Sequence, residues 1–295
     1  DRQQNMPLRI AIAVHGRFHA FDMARELIGR GHQVTLFTNY PTRITRRFGI
    51  PDECICSLIS HGISTRLTWK LRETWQGGYP EAWLHTWFGR WAASRICRAS
   101  WDVVLCWSGV GEETFRALKE TSTLRICQRG SAHIRVQARL LEEEAVRTGH
   151  TQDQPSAWMI AREEREYNLA DLNLLPSSFA RQTFLDMGIN EERTVMIPLA
   201  VDVGAFRPPL ESIEARCRRI RQKEPLHVLN VGTFSFQKGG WDIQAVVKAL
   251  AADHFRFRFV GPVAPECAAI ADDLKAAAEF IPKQPQQDLP DFYNW

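Results

Sequence analysis

Residues 227–240 read HVLNVGTFSFQKGG. Apolar Val228, Leu229 and Val231 run into Gly232, a loop carries Lys238, Gly239 and Gly240, and an amphipathic stretch opens at Trp241. The pattern predicts a strand, a turn and a helix. Such a turn suits an anion: glycines let backbone N–H groups come close, the helix presents its positive end, and Lys238 adds a full charge. The anion expected is a phosphate or diphosphate. It is not a Walker P-loop, because Lys238 precedes Gly239 and Gly240 and no hydroxyl residue follows them. An ordinary turn with a solvated lysine would carry the same letters.

A second candidate lies upstream. Residues 123–128 (TLRICQ) read as a strand that delivers Arg129, Gly130, Ser131, Ala132 and His133 to the C-terminal edge of a sheet, where open α/β sheets bind ligands. Arg129 can hold an anion, and His133 can accept, donate or move a proton near neutral pH. The plainer alternative makes His133 a helix-start residue bonded to nearby backbone.

These residues need a scaffold of alternating strands and helices, and the chain supplies one. LRIAIAV at 8–14 is apolar enough for a strand buried on both faces. His15, Gly16 and Arg17 make a turn, Phe21, Ala24, Leu27 and Ile28 recur at helical spacing, Gly31 suits a helix C-terminus, and VTLF at 34–37 resumes a strand. This is a βαβ unit of a doubly wound domain. One glycine in the first turn, and Asn39 where an acid would follow the second strand, disfavour a nicotinamide enzyme. DVVLCW at 102–107 and VMIP at 195–198 read as further strands. Glu163, Glu164 and Glu166 precede ADLNLLPSS, a strand leading to a serine that caps a helix over 179–187. Pro208 and Pro209 open a stiff, basic and polar stretch taken as a linker. After it come the strand, loop and helix of 227–240, a strand over 255–260, Gly261-Pro262, a helix over 266–278 and a strand at Phe280-Ile281.

From 69 to 107 the chain interleaves Trp69, Trp75, Trp83, Trp87, Trp91, Trp101 and Trp107 with Lys70, Arg72, Arg90, Arg95 and Arg98. Burial of the indoles in a small helical core is the default; an acceptor-binding or membrane-facing surface is the functional alternative.

At 295 residues the chain accommodates about two domains. With 44% hydrophobic and 24% charged residues it is an ordinary globular sequence, and a net charge of +3 gives no call for nucleic acid. Seven cysteines without CxxC pairs suggest neither a disulfide framework nor a zinc site and favour a reducing, cytosolic setting. No apolar run is long enough to span a bilayer.

The series GHQVTLFT after Gly16, ADLNLLPSSFARQTFLDMGI leading to VMIPLAVDVGAF, VLNVGTFSFQKGG, FRFVGP and FIPKQPQQDLPDFY resembles the family 4 retaining glycosyltransferases, in that order over nearly the whole chain. The resemblance implies the GT-B architecture: an α/β protein of two Rossmann-like domains facing across a cleft. The domains would be an acceptor-side domain over 1–207, a linker over 208–224 and an incomplete nucleotide-sugar domain over 225–295. It implies transfer of a sugar from a nucleoside diphosphate sugar to a glycan, lipid or small-molecule acceptor, with retention, without metal or other cofactor; the cytoplasmic setting read from the cysteines, and a peripheral contact at the inner face of a membrane through the Trp/Arg-rich 69–107, are compatible with that. By resemblance Gly232 and Lys238 hold the diphosphate, Gly16, Arg129, Thr233 and Gly261 complete the donor site, Ile281, Pro282 and Lys283 meet the base, and His133 orients a sugar hydroxyl. Thr233 stands where the family usually has arginine, and Leu199-Ala200 where it has Asn-Gly. A chain opening on Asp1 and stopping at Trp295 is expected to be truncated before the family's acidic motif. Two other readings of the same letters are a non-catalytic scaffold of this fold and another Rossmann-type nucleotide-sugar enzyme such as an epimerase.

Overall fold

The structure, a computed structural model, describes residues 6–71, 80–150, 153–201, 203–250 and 254–295. Arg72, Trp75 and Asp202, which figured in the sequence patterns, lie outside the described residues. The chain divides into two compact units, one comprising 1–140 and 154–199, the other 141–153 and 200–295.

The first unit is built on a seven-stranded sheet. In chain order its elements are β1 (Arg9–Val14), α1 (Ala20–Gly29), β2 (Gln33–Thr38), α2 (Thr42–Thr45), β3 (Ile55–Ser57), α3 (Ile59–Leu71), α4 (Glu81–Ile96), β4 (Val103–Trp107), α5 (Glu112–Ala117), β5 (Leu124–Gln128), α6 (Ile134–Thr148), α7 (Ala157–Leu169), β6 (Leu172–Leu175), α8 (Ser178–Asp186) and β7 (Thr194–Met196). The strand order is β3-β2-β1-β4-β5-β6-β7, with all pairs parallel. Parallel strands need helical crossovers, so both faces of the sheet are covered, and β1 is buried from Ile10 through Val14. The core gathers Phe21, Phe88, Phe115, Tyr167 and Phe184, all fully buried. Each such side chain stabilises by about 1.5–3 kcal/mol, which makes this sheet the rigid platform for whatever its edge carries. Ser177 caps α8 by accepting the Ala180 N–H at 3.1 Å, as its position in the sequence predicts.

The second unit contains α9 (Leu210–Arg221), β8 (Leu226–Val231), α10 (Gly240–Leu250), β9 (Phe255–Val260), α11 (Ala268–Leu274), β10 (Ala278–Ile281) and α12 (Leu289–Tyr293). Its parallel sheet runs β10-β9-β8 over a core of Phe234, Phe236, Val247, Phe257, Phe259, Ile270 and Leu274. Residues 141–153, which include the second half of α6, group with this unit: Arg147 pairs with Asp242 at 2.9 Å, and His150 stacks on Trp241 at 4.6 Å between centroids.

Two features differ from the sequence expectation. The units divide at 199/200 rather than at 207, and most of the stretch taken as a linker is the helix α9, whose Arg216 donates to the Tyr293 carbonyl. The tryptophans of 69–107 are divided between roles. Trp107 is buried, Trp91 and Trp101 pack against the core, and Trp69 and Trp83 are more than half exposed. Among the described residues no helix is long and apolar enough to cross a membrane.

Candidate functional site

The first βα turn, after β1, is held by a relay. Asn39 Oδ1 accepts the Gly16 N–H at 2.9 Å. Its Nδ2 lies 3.3 Å from His61 Nδ1, and His61 Nε2 lies 3.0 Å from the Leu84 carbonyl. A carbonyl accepts only, so the His61 proton sits on Nε2 and Nδ1 receives the Asn39 amide. Helix α3 comes close enough that a Cβ at Gly62 would lie 2.2 Å from the Asn39 carbonyl oxygen. Asn39, the residue that argued against a nicotinamide enzyme, thus fixes the Gly16 turn. Gly16 has φ +106°, which a side chain would strain.

The turn after β4 is closed differently. The fully buried Glu166 of α7 accepts the backbone N–H groups of Gly109, Gly111 and Glu112 at 2.5, 2.9 and 3.1 Å. Burial pushes this carboxyl up, yet each partner of its oxygens is a donor, Arg162 Nε included at 3.4 Å, so the geometry is that of a carboxylate. Arg162 is itself buried, forks onto Glu113 at 3.0 and 2.6 Å and donates from Nε to the Gly109 carbonyl at 2.8 Å. That carbonyl also accepts from His85 Nδ1 at 2.9 Å, which makes Nε2 of His85 an acceptor with no hydrogen bond among the described residues. The chain therefore fills this nest of amides with an anion of its own. The sequence showed Glu166 only as one acid in a run.

Arg129 is engaged within its own unit. Its guanidinium, 13% exposed, lies 2.9 Å from Glu163 and also reaches Ser108 Oγ, the Ala132 carbonyl and Gln137. Glu163 further accepts the Tyr167 hydroxyl. The Arg129 charge is balanced inside the unit by Glu163, and the group braces the β5 edge. His133 is 3% exposed, packed edge-on against Tyr167 and Phe184, each at 5.1 Å. Its Nδ1 accepts the Arg135 N–H at 3.3 Å at the start of α6, so the ring proton lies on Nε2. Burial pulls its pKa down to about 4, with Glu164 opposing and Arg129 and Arg135 adding to the shift.

A histidine cluster that the sequence patterns did not single out lies at the same sheet edge. The His15 and His85 rings meet edge to face at 4.4 Å, and His61 lies 6.4 Å from His15. Desolvation lowers all three, His85 to about 4 and His15 well below its ordinary value. Their sequence positions, 15, 61 and 85, give no spacing signal. Among the described residues no group of three or more His, Cys, Asp or Glu side chains is arranged to hold a metal ion.

In the second unit the expected donor residues share one edge. Gly232 follows β8, Gly261 follows β9, and Ile281, Pro282 and Lys283 end or follow β10. The Gly232 N–H donates to the Val260 carbonyl and the Gly261 N–H to the Ile281 carbonyl, each at 2.9 Å. Both glycines have φ near +148° (147° and 149°), and a Cβ on Gly261 would lie 2.0 Å from the Gly232 carbonyl oxygen. No L side chain fits there. Thr233 is exposed, and Phe234 to Phe236 turn back into the core. Lys238 ends a 3-10 turn, Gly239 takes the left-handed φ of +78°, and Gly240 starts α10 against Cys267, where a Cβ would meet Sγ at 2.9 Å. Lys238 is exposed and makes no ion pair among the described residues. The first unit keeps Gly16, Arg129 and His133, and the second keeps Gly232, Thr233, Lys238, Gly261, Ile281, Pro282 and Lys283.

Two parallel-sheet units of Rossmann type in tandem, each carrying its glycine turns at the C-terminal edge, define a two-domain GT-B fold. Comparison with solved structures bears this out. The chain is similar to the sucrose-phosphate synthase of Thermosynechococcus elongatus (16% identity, 98% of this chain and 73% of that one, TM-score 0.65). It is also similar to the catalytic domain of starch synthase IV from Arabidopsis thaliana bound to ADP and acarbose (12% identity, 98% and 77%, TM-score 0.61). A third likeness is to the UDP-GlcNAc 2-epimerase of Neisseria meningitidis bound to UDP-GlcNAc (13% identity, 97% and 74%, TM-score 0.52). No protein-family model and no curated protein sequence matches the chain.

Proposed function

We propose that this chain transfers a sugar from a nucleoside diphosphate sugar to an acceptor hydroxyl, as a metal-independent, retaining hexosyltransferase resembling family 4. The observation that carries the reading is the edge of the second unit: two left-handed glycine turns, one of which, Gly261, has no room for a side chain, beside an exposed Lys238 that makes no ion pair among the described residues. A departing diphosphate needs its developing charge met, and a lysine with backbone N–H groups supplies that without a divalent ion. ADP and UDP-GlcNAc, the nucleotides bound by two of the fold relatives, are ligands of this class. Gly232, Thr233 and Gly261 would line the donor site, with Ile281, Pro282 and Lys283 toward the base.

His133 fits the role of a donor. With Nδ1 engaged by Arg135, only Nε2–H remains to meet a sugar oxygen, and a ring held neutral this firmly is a poor general base. An acceptor or membrane contact through the exposed Trp69 and Trp83 belongs to the same proposal.

Calorimetry with UDP, ADP and their glucose esters tests the reading. Lys238→Ala is expected to weaken nucleotide binding about tenfold or more, the loss of one charge-assisted contact, and unchanged affinity removes Lys238 from the site. An epimerase, favoured by the likeness to the UDP-GlcNAc enzyme, would instead convert UDP-GlcNAc with no acceptor present, which a proton NMR time course of the sugar detects.

A further inference from the structure

Helix α3 turns its polar side inward. His61 is buried on the Leu84 carbonyl, Gly62 lies against Asn39, and the hydroxyls of Thr65 and Thr68 bond carbonyls of their own helix. The large aliphatic side chains Ile59, Ile63 and Leu67 recur every fourth residue on the opposite side and stand in solvent, Ile63 62% and Leu67 55% exposed. A surface helix normally buries such a stripe against its own core. Arg66 and Lys70 share the outer side at helical spacing, both exposed, and the exposed Trp69 borders it. Helix α4 continues the same surface. His61 meets Trp87 at 5.2 Å between centroids, which sets the two helices side by side. Trp83, Trp87 and Arg90 follow at i, i+4 and i+7 along α4, with the two indoles 4.9 Å apart and Trp83 and Arg90 exposed.

The charge on this surface has one sign. Helix α3 contains no acidic residue, and Glu81, the only acid of α4, accepts the Ser156 hydroxyl. Arg66, Lys70 and Arg90 make no ion pair among the described residues. We propose that the outer face of α3 and α4 docks on an anionic lipid bilayer, with Ile59, Ile63 and Leu67 among the upper acyl carbons, Trp83 and Trp87 at the headgroup level and Arg66, Lys70 and Arg90 on lipid phosphates. Aliphatic side chains gain by leaving water, indoles favour the interface, and each cation adds attraction to a negative leaflet. A second copy of the chain is a poorer occupant. A two-fold contact would set Arg66 and Lys70 against the same cations, with no acid on α3 to answer them. The inference deepens the membrane contact named under the proposed function and rests on that part of the reading, not on the donor edge.

Co-sedimentation of the whole chain with vesicles tests it. Binding to phosphatidylcholine vesicles carrying about 30% phosphatidylglycerol is expected to exceed binding to phosphatidylcholine alone by about tenfold, and to weaken in high salt. The double variant Ile63→Ser, Leu67→Ser is expected to lose about tenfold in binding to the anionic vesicles. Its melting temperature should match wild type, because both side chains are already in water. Arg66→Gln with Lys70→Gln is expected to erase most of the preference for anionic vesicles. No sedimentation, equal binding to both vesicles, or a serine variant that binds as wild type overturns the proposal. So does light scattering that shows a dimer which the serine variant dissolves, since the face would then belong to a second copy. Vesicle binding without nucleotide binding defeats only the transfer reading, and nucleotide binding without vesicle binding defeats only this surface.

Discussion

Glu166 lies beneath Gly109 with its carboxylate on that residue's amide at 2.5 Å, and the two residues are 57 positions apart in the chain. The contact joins α7 to the turn after β4 and, through Gly111 and Glu112, to the start of α5. Three amides and Arg162 depend on this one side chain. Glu166→Ala is expected to destabilise the first unit by about 3–5 kcal/mol, since it leaves three buried backbone donors unpaired and removes one carboxylate from beside Arg162, which keeps Glu113. Glu166→Gln keeps the shape but presents an NH2 group to donors, and is expected to recover only part of the loss. Urea denaturation followed by tryptophan fluorescence reads both; an Ala variant within about 1 kcal/mol of wild type would show that the clamp contributes little.

His85 and His133 give the stability a defined pH dependence. Each titrates near 6.5 when the chain is unfolded and near 4 when folded. For His85 burial is the main cause, the Gly109 carbonyl opposes it, and Arg162 and His61 add to it. A folded pKa lowered in this way means the unfolded chain binds protons first as the pH falls. The stability these rings contribute is complete above 6.5 and is lost as pH drops through the window down to 4. The urea midpoint should therefore fall between pH 7.5 and 5, and the slope should flatten in the double variant His85→Gln, His133→Asn. A midpoint constant over that range contradicts the assignment.

Much of the platform was legible in the sequence because parallel strands buried on both faces leave apolar runs, as at β1 and β4. The glycine edge of the second unit was legible for another reason: Gly232 and Gly261 adopt left-handed backbone angles, and Gly261 an approach to the Gly232 carbonyl, that favour glycine, so the backbone leaves its mark in the letters. Helix α9 was not legible. Its apolar Leu210, Ile213 and Ile220 are exposed, and its face is basic, so 12 helical residues look like a polar linker. Strand β3, three residues long, is too short to show a period. The clamp on Gly109 and the meeting of His15 with His85 are long-range, fixed by strand order rather than by any local pattern. The ion pair of Arg129 was out of reach for the same reason, since its partner Glu163 lies 34 residues away.

Asn39 offers a sharper test of the first turn than simple deletion. In Asn39→Asp the carboxylate can still accept the Gly16 N–H, but it can no longer donate to His61 Nδ1. Nδ1 then faces an anion and gains by taking a proton. The His61 pKa, lowered chiefly by burial in the wild-type chain, is expected to rise above 6.5, a change that the ring C–H shifts in an NMR titration report directly. A His61 resonance that still titrates below 6.5 would mean Asn39 Nδ2 does not face the ring.

Gly232 and Gly261 share nearly the same φ, so comparing them separates strain from collision. At Gly232 a Cβ meets nothing within 4 Å, and Gly232→Ala carries only the cost of the backbone angle, about 1–3 kcal/mol. At Gly261 the same angle is compounded by a Cβ 2.0 Å from the Gly232 carbonyl oxygen, a backbone atom that moves only if β8 and β9 part. Gly261→Ala is therefore expected to destabilise the second unit more than Gly232→Ala and to abolish nucleotide binding by shifting the turn that carries Gly232. Gly232→Ala should fold and lose affinity in part. Melting curves with calorimetry on the two variants decide it: equal loss in both would show that the backbone angle alone matters, and the close passage of the two turns would then play no part in shaping this edge.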